Sequence, residues 1–235
     1  MKTLKEAVIF DMDGVLIDSQ PMYYEFDISL LGRFGHSTTV ETVIPYSGLT
    51  SVDRMTRYKN DFGLRESVPE LIKISVDTMR EVFSSRELKP IEGIPELLSF
   101  VKQRGVRLGV ASSTSHELIE LILQKLGFFS MFDKIVSGED VAFGKPAPDV
   151  YLKSAEIFGL SPAVCVAVED SAAGIASASS AGFTCIAYRN GYTTDYSLAD
   201  YVVDNFYDSI PIISKLCLPW VDVEYPMPRF GSRYG

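Results

Sequence analysis

The chain has 235 residues, 46% of them hydrophobic and 23% charged, with a formal net charge of -9. That length buries a core without disulfide or metal staples, as one large domain or two modest ones. The negative charge excludes nonspecific nucleic-acid binding, which needs a basic surface; an anionic substrate stays open, because one lysine and a bound metal reverse the sign locally. No apolar run approaches the ~20 residues of a membrane span. Cys165, Cys185 and Cys217 lack metal-ligand spacing and read as reduced thiols of a cytoplasmic protein. Met1-Lys2-Thr3 leads directly into a strand, which is unlike a secretory signal.

The first element is Ala7-Val8-Ile9-Phe10, a continuous apolar run of the kind found in central parallel strands. It ends in Asp11-Met12-Asp13-Gly14. Residues 19–89 then carry no convincing strand. Tyr23, Phe26, Leu30 and Phe34 form one helical stripe, and Val52, Met55 and Phe62 part of another. Ile72, Val76, Met79 and Phe83 form a third, with Ser67 and Glu70 spaced as its capping box. From Ile91 onward strands and helices alternate. Ile94, Leu97, Leu98 and Val101 line one helical face that Gly105 closes. The strand candidates are 107–112, 134–138, 164–169, 184–188 and 201–204. Helices are expected near 115–126, 149–158 and 172–181; Thr114 and Glu117 have capping-box spacing at the start of the first of these.

This alternation predicts an α/β fold, a Rossmann-like parallel sheet with helices on both faces and a small α-helical domain inserted after the first strand. The expected core is 1–18 and 90–216, the helical insert 19–89, and residues 217–235 an aperiodic tail. The connections lie near 16–20 and 88–92, so the insert would sit over the C-terminal ends of the strands, where open α/β sheets bind ligands.

The polar residues at those ends are informative together. Asp11 and Asp13 follow the first strand; Ser112, Ser113 and Thr114 follow the second; Lys145 follows the third; Glu169, Asp170 and Ser171 follow the fourth. Singly, an Asp pair suits a turn, Ser-Ser-Thr a helix cap, a lysine before proline a solvated surface, and Glu-Asp a helix N-terminus. In a parallel sheet all four groups converge on one edge. Clustered carboxylates repel unless a cation joins them, and hard oxygen donors suit Mg2+. One carboxylate can then attack phosphorus, a second can handle protons, and the lysine and hydroxyls can stabilise the transferring phosphoryl group. Positions 11 and 13, two apart, point the same way from a strand.

These motifs, Asp11-Met12-Asp13-Gly14-Val15, Ala111-Ser112-Ser113, Gly144-Lys145-Pro146-Ala147-Pro148-Asp149 and Val168-Glu169-Asp170-Ser171, resemble in order those of the haloacid dehalogenase (HAD) superfamily. The branch indicated has a helical cap and contains phosphatases and β-phosphoglucomutases. The resemblance implies Asp11 as nucleophile and Mg2+ ligand. It implies Asp13 as general acid/base with its main-chain carbonyl on the metal. Ser112 would bind the phosphoryl group, with Gly14 and Ser113 beside it, and Lys145 would neutralise it. Glu169 and Asp170 would hold Mg2+, Asp170 directly. The second acidic residue of the first motif favours phosphoryl transfer over carbon–halogen hydrolysis. Mutases of this branch need a cap Lys-Gly, a nearby Arg and a His. Here Ser47 precedes Gly48, Ser51 stands in place of the Arg, and Tyr23 in place of the His. The expectation is therefore a phosphatase of a small phosphorylated metabolite, in particular a sugar phosphate, with the mutase second. Tyr23, Ser47, Gly48, Arg54 and Tyr58 are candidate readers of the leaving group. No nucleic-acid or membrane partner is expected, and the chain is read as a monomer or weak homodimer. A phospho-accepting signalling domain would also use an Asp cluster, a hydroxyl and a lysine, but needs neither a lid nor Asp13.

Overall fold

A computed structural model describes residues 4–47, 49, 51–191 and 195–217. Gly48 and the tail beyond Cys217 lie outside the described residues. Six strands form one parallel sheet: β1 (Ala7–Phe10), β2 (Arg107–Ser112), β3 (Lys134–Ser137), β4 (Cys165–Glu169), β5 (Thr184–Tyr188) and β6 (Tyr201–Val203), in the order β3-β2-β1-β4-β5-β6. β1 is central, and the strand order reverses between β1 and β4. Ligands of doubly wound sheets bind at such a reversal.

Alternate residues of each strand serve opposite faces. Val8, Phe10, Val166 and Val168 join the apolar layer that includes α5 (Ile94–Gln103) and α6 (His116–Lys125). Ala7, Ile9, Cys165 and Ala167 face the other layer, which includes α7 (Asp149–Phe158) and α8 (Ala172–Ser180). A short helix, α9 (Ser209–Cys217), follows β6. Cys165, Cys185 and Cys217 are buried thiols. Among the described residues no helix is long and apolar enough to cross a membrane.

Between β1 and α5 lie α1 (Gln20–Arg33), α2 (Val40–Val43), α3 (Ser51–Asp61) and α4 (Val68–Ser85), with no ladder strand among the described residues. The chain leaves and re-enters the sheet side by side: Ile17 bridges Pro90, and Ile91 N donates to Leu16 O at 3.1 Å. The expected capping box is present at the start of α4, where Ser67 N donates to the Glu70 carboxylate at 2.8 Å.

Two helical stripes differ from expectation. Val76 is 53% exposed; α4 buries Phe83 as expected, together with Leu71, Ser75, Thr78 and Val82. Ser75 and Thr78 can be buried because their hydroxyls donate back to Ile72 O and Ile74 O at 2.7 and 2.9 Å, so their polarity costs little. Val52 is 56% exposed, about a quarter turn round α3 from the face made by Met55, Tyr58 and Phe62. That face packs in an aromatic cluster, with the Tyr46 and Tyr58 rings 4.6 Å apart.

Candidate active site

The site begins where β1 stops. Asp11 N still donates to Val168 O at 2.9 Å, which docks Asp11 against the end of β4. Asp11, Glu169 and Asp170 are buried, and each offers a carboxylate oxygen within 4.8 Å of the others. Two glycines permit this crowding. A Cβ at Gly14, whose φ is +78°, would lie 1.8 Å from Asp170 Oδ2, and one at Gly174 would lie 2.1 Å from the Glu169 carboxylate. Any other residue at 14 or 174 would displace a carboxylate.

The Lys145 ammonium lies among these acids, donating at 2.6 Å to Asp11 Oδ1, at 2.6 Å to Glu169 Oε1 and at 3.0 Å to Ala111 O. It is thus buried rather than solvated. Burial alone would lower its pKa; Asp11 and Glu169 outweigh that and hold it above the ordinary lysine range. Burial raises Asp11 well above the usual carboxylate range; Lys145 opposes the shift, and Glu169, Asp170 and Asp13 add to it. Asp170 is pushed up to about 7, by burial first and by Glu169 next. One ammonium faces three acidic side chains, so a hard divalent cation fits this all-oxygen donor set and would relieve the remaining repulsion.

Asp13 lies just past the strand. Thr114 Oγ1 donates to Asp13 Oδ2 at 3.0 Å, and the Tyr23 hydroxyl lies 3.4 Å from the same Thr114 oxygen. Asp13 Oδ1 is buried without a hydrogen-bond partner. Burial raises the Asp13 pKa, and the hydroxyls of Ser19 and Thr114 partly offset it. Ser112 is buried, its Oγ accepting from Thr114 N at 3.1 Å, whereas Ser113 is exposed.

The expected capping box of Thr114 and Glu117 is replaced by another arrangement. Ser115 is the N-cap of α6, and Thr114 is turned toward Asp13. The His116 N–H at that helix start is taken by the Glu139 carboxylate at 3.0 Å. A donor already satisfied from a neighbouring loop needs no local cap, which leaves Thr114 for the site.

Sequence reasoning missed four further residues. Tyr151 is fully buried and donates to Glu169 Oε1 at 2.7 Å. Asn190 Nδ2 donates to Asp170 Oδ2 at 2.5 Å. Asp18 and Tyr188 line the cavity beside Asp13 and Asp170. Asn190 lies two residues past the end of β5, so the strand-end rule applied to one more strand would have found it; Tyr151 carries no such signal.

The candidate readers in the helical insert fall in different places. Tyr23 lines the cavity. Ser47 is exposed. Arg54 is 3.5 Å from Asp27 on α1, and Tyr58 is fully buried beside them.

Comparison with known proteins shows the family. The model of the haloacid dehalogenase-like hydrolases matches residues 8–188. The chain belongs to that family. It is 31% identical over 211 residues to protein CbbY of Rhodobacter capsulatus, covering 83% of this chain and 91% of that one. It is 33% identical over 177 residues to a phosphorylated carbohydrates phosphatase of Thermotoga maritima, covering 75% and 82%. The crystal structure of CbbY from Rhodobacter sphaeroides in complex with phosphate superposes with a TM-score of 0.76 at 25% identity, over 86% of this chain and 95% of that one.

Proposed function

We propose that this family member is a Mg2+-dependent phosphomonoester hydrolase of a small phosphorylated metabolite, working through an aspartyl-phosphate on Asp11. The observation that carries the reading is the Lys145 ammonium held at 2.6 Å from both Asp11 and Glu169, with Asp170 against them. A nucleophilic carboxylate must meet a dianionic phosphate, so its site needs positive charge in place beforehand. Lys145 supplies one charge next to the attacking atom. Mg2+ held by Asp11, Asp170 and the main-chain carbonyl of Asp13 would supply the rest by offsetting charge on the phosphoryl oxygens.

The chain's own groups then divide the work. Asp11 attacks phosphorus through its carboxylate. Asp13 keeps one oxygen on Thr114 and has Oδ1 free, so Oδ1 is the atom that protonates the leaving oxygen and later takes a proton from water. Its raised pKa favours holding that proton. Ser112 and the amides after β2 receive the phosphoryl oxygens. Glu169, engaged by Lys145, Tyr151 and the Asp170 N–H, orients the lysine and the next residue. The helical insert acts as the cap over residues 19–89, excluding water and reading the alcohol released. The pairing of Arg54 with Asp27 supports hydrolysis over a mutase reaction, which needs a second phosphate site in the cap.

Phosphate release from a panel of phosphorylated metabolites tests the proposal. Activity should vanish with EDTA and return with Mg2+, and Asp11→Asn should lose at least about 10³-fold. An Asp11→Asn protein with full activity would refute the nucleophile assignment.

A further inference from the structure

We infer that Tyr151 is a positioning residue for the reaction: its phenol competes with Lys145 for Glu169 and so keeps the ammonium on the nucleophile Asp11. This rests on the phosphatase reading and goes beyond it, since that reading asks only that a cation stand beside Asp11.

The Lys145 ammonium has three protons, and they meet Asp11 Oδ1, Glu169 Oε1 and Ala111 O. Asp11 and Glu169 hold it equally closely, at 2.6 Å each. Only at Asp11 does the charge lie next to the attacking atom. Glu169 is fully buried, and a buried carboxylate with few partners binds the nearest cation hard. Its Oε2 is engaged by the Asp170 N–H at 3.2 Å and the Ser171 hydroxyl at 3.4 Å. Its Oε1, the oxygen that holds Lys145, also accepts from the Tyr151 hydroxyl at 2.7 Å. That proton takes up part of the negative charge on Oε1 and weakens its pull on the ammonium. Without it Oε1 would keep a buried lone pair unfilled, and the ammonium would shift to fill it, away from Asp11.

The same side chain touches the lysine directly. Lys145 Nζ lies 5.3 Å from the centroid of the Tyr151 ring, within cation–π range. The ring is fixed: Tyr151 is fully buried on the first turn of α7 and packs on Phe183 with ring centroids 5.1 Å apart. The segment joining Lys145 to Tyr151 is tied to α8, because the Ser177 hydroxyl donates to Ala147 O at 2.6 Å. One short segment therefore delivers both the lysine and the group that aims it. Phenylalanine would make the same ring contacts, so the hydroxyl is the part of Tyr151 that packing does not explain.

The test is kcat and KM for p-nitrophenyl phosphate, with Mg2+ titrated to saturation, on the wild type, Tyr151→Phe, Lys145→Met and the double variant. Tyr151→Phe keeps both ring contacts and removes only the hydroxyl. It should lower kcat about tenfold, with KM and the half-saturating Mg2+ concentration unchanged within about twofold. Added to Lys145→Met it should cost less than about twofold, since its effect passes through the ammonium. Tyr151→p-aminophenylalanine, which restores a donor, should recover most of kcat, whereas Tyr151→p-methylphenylalanine, of similar size without a donor, should not. That matched pair decides the question even if Tyr151→Phe fails to fold. Full activity of the variants lacking the donor, an equal loss in the Lys145→Met background, or a loss confined to the Mg2+ requirement overturns the inference and leaves the phosphatase reading standing. A wild-type protein inert toward p-nitrophenyl phosphate and the whole metabolite panel overturns both.

Discussion

The sheet edge and the helical insert both bury charge, and they do so differently. At the edge, Asp11, Glu169 and Asp170 crowd round a single ammonium, each beside a strand end whose neighbours are set by the ladder. In the insert, Asp27 meets Arg54 in a one-to-one pair at 3.5 Å, with Tyr58 beside it. The first arrangement has surplus negative charge to hold an incoming cation; the second is balanced within itself. A cluster left unbalanced in this way is suited to chemistry, and a balanced one to holding helices together.

The contrast can be broken most directly at Lys145. Lys145→Met should lower kcat by about 10²–10³-fold, the usual cost of removing a charge-stabilising donor. In the absence of Mg2+ it should also destabilise the fold by about 3–5 kcal/mol, because buried carboxylates lose their partner; denaturant titration with and without Mg2+ measures this. Unchanged stability in metal-free buffer would mean the edge is as balanced as the insert.

A smaller effect is expected one layer out. Thr114→Val removes the hydrogen bond to Asp13 Oδ2 while keeping the shape of the side chain, and should lower kcat about tenfold with KM little changed. A loss confined to KM would place Thr114 with the substrate instead of with Asp13.

The insert has its own signature in pH. Burial pushes Asp27 up to about 6 from the ordinary 3.8, against the pull of Arg54 and Tyr58. The folded state therefore holds this proton more tightly than the unfolded chain. The cost of ionising Asp27 is absent below the unfolded value, grows as pH rises, and is complete above about 6. Between pH 4 and 6.5 the wild-type Tm should fall more than that of Asp27→Asn, and parallel curves would show that the pair with Arg54 fully compensates. The smallest effect belongs to Val76, where substitution by Thr should change stability by less than about 0.5 kcal/mol. Leu71→Ala, on the buried face of the same helix, should cost about 2–5 kcal/mol.

The two regions were also unequally legible. β1, β2 and β5 coincide with the runs marked in the sequence, and β3, β4 and β6 differ by one residue at an end. A parallel strand buried on both faces is an apolar run with polar ends, so a linear reading finds it and its terminal Asp, Ser or Glu together. The stripes of α3 and α4 were harder. Which third of a helix is buried depends on the helices beside it, and small hydroxyl residues such as Ser75 and Thr78 can occupy the packed face as well as valine. Thr114 was read as a cap because its spacing to Glu117 allows one. Only the approach of Glu139 to the His116 N–H shows that the cap was unnecessary.

By itself the sequence determined the strands, the alternation that makes them parallel, and hence that Asp11, Ser112, Lys145, Glu169 and Asp170 lie along one edge. These are consequences of local periodicity and chain direction. The tertiary structure alone decided the strand order that makes β1 and β4 neighbours at the reversal, and the burial of Lys145 between two carboxylates. It also decided that Thr114 belongs to Asp13 and that Asp18 and Tyr188 line the cavity. Those depend on distances between segments remote in the chain, which packing sets and no spacing along the chain encodes.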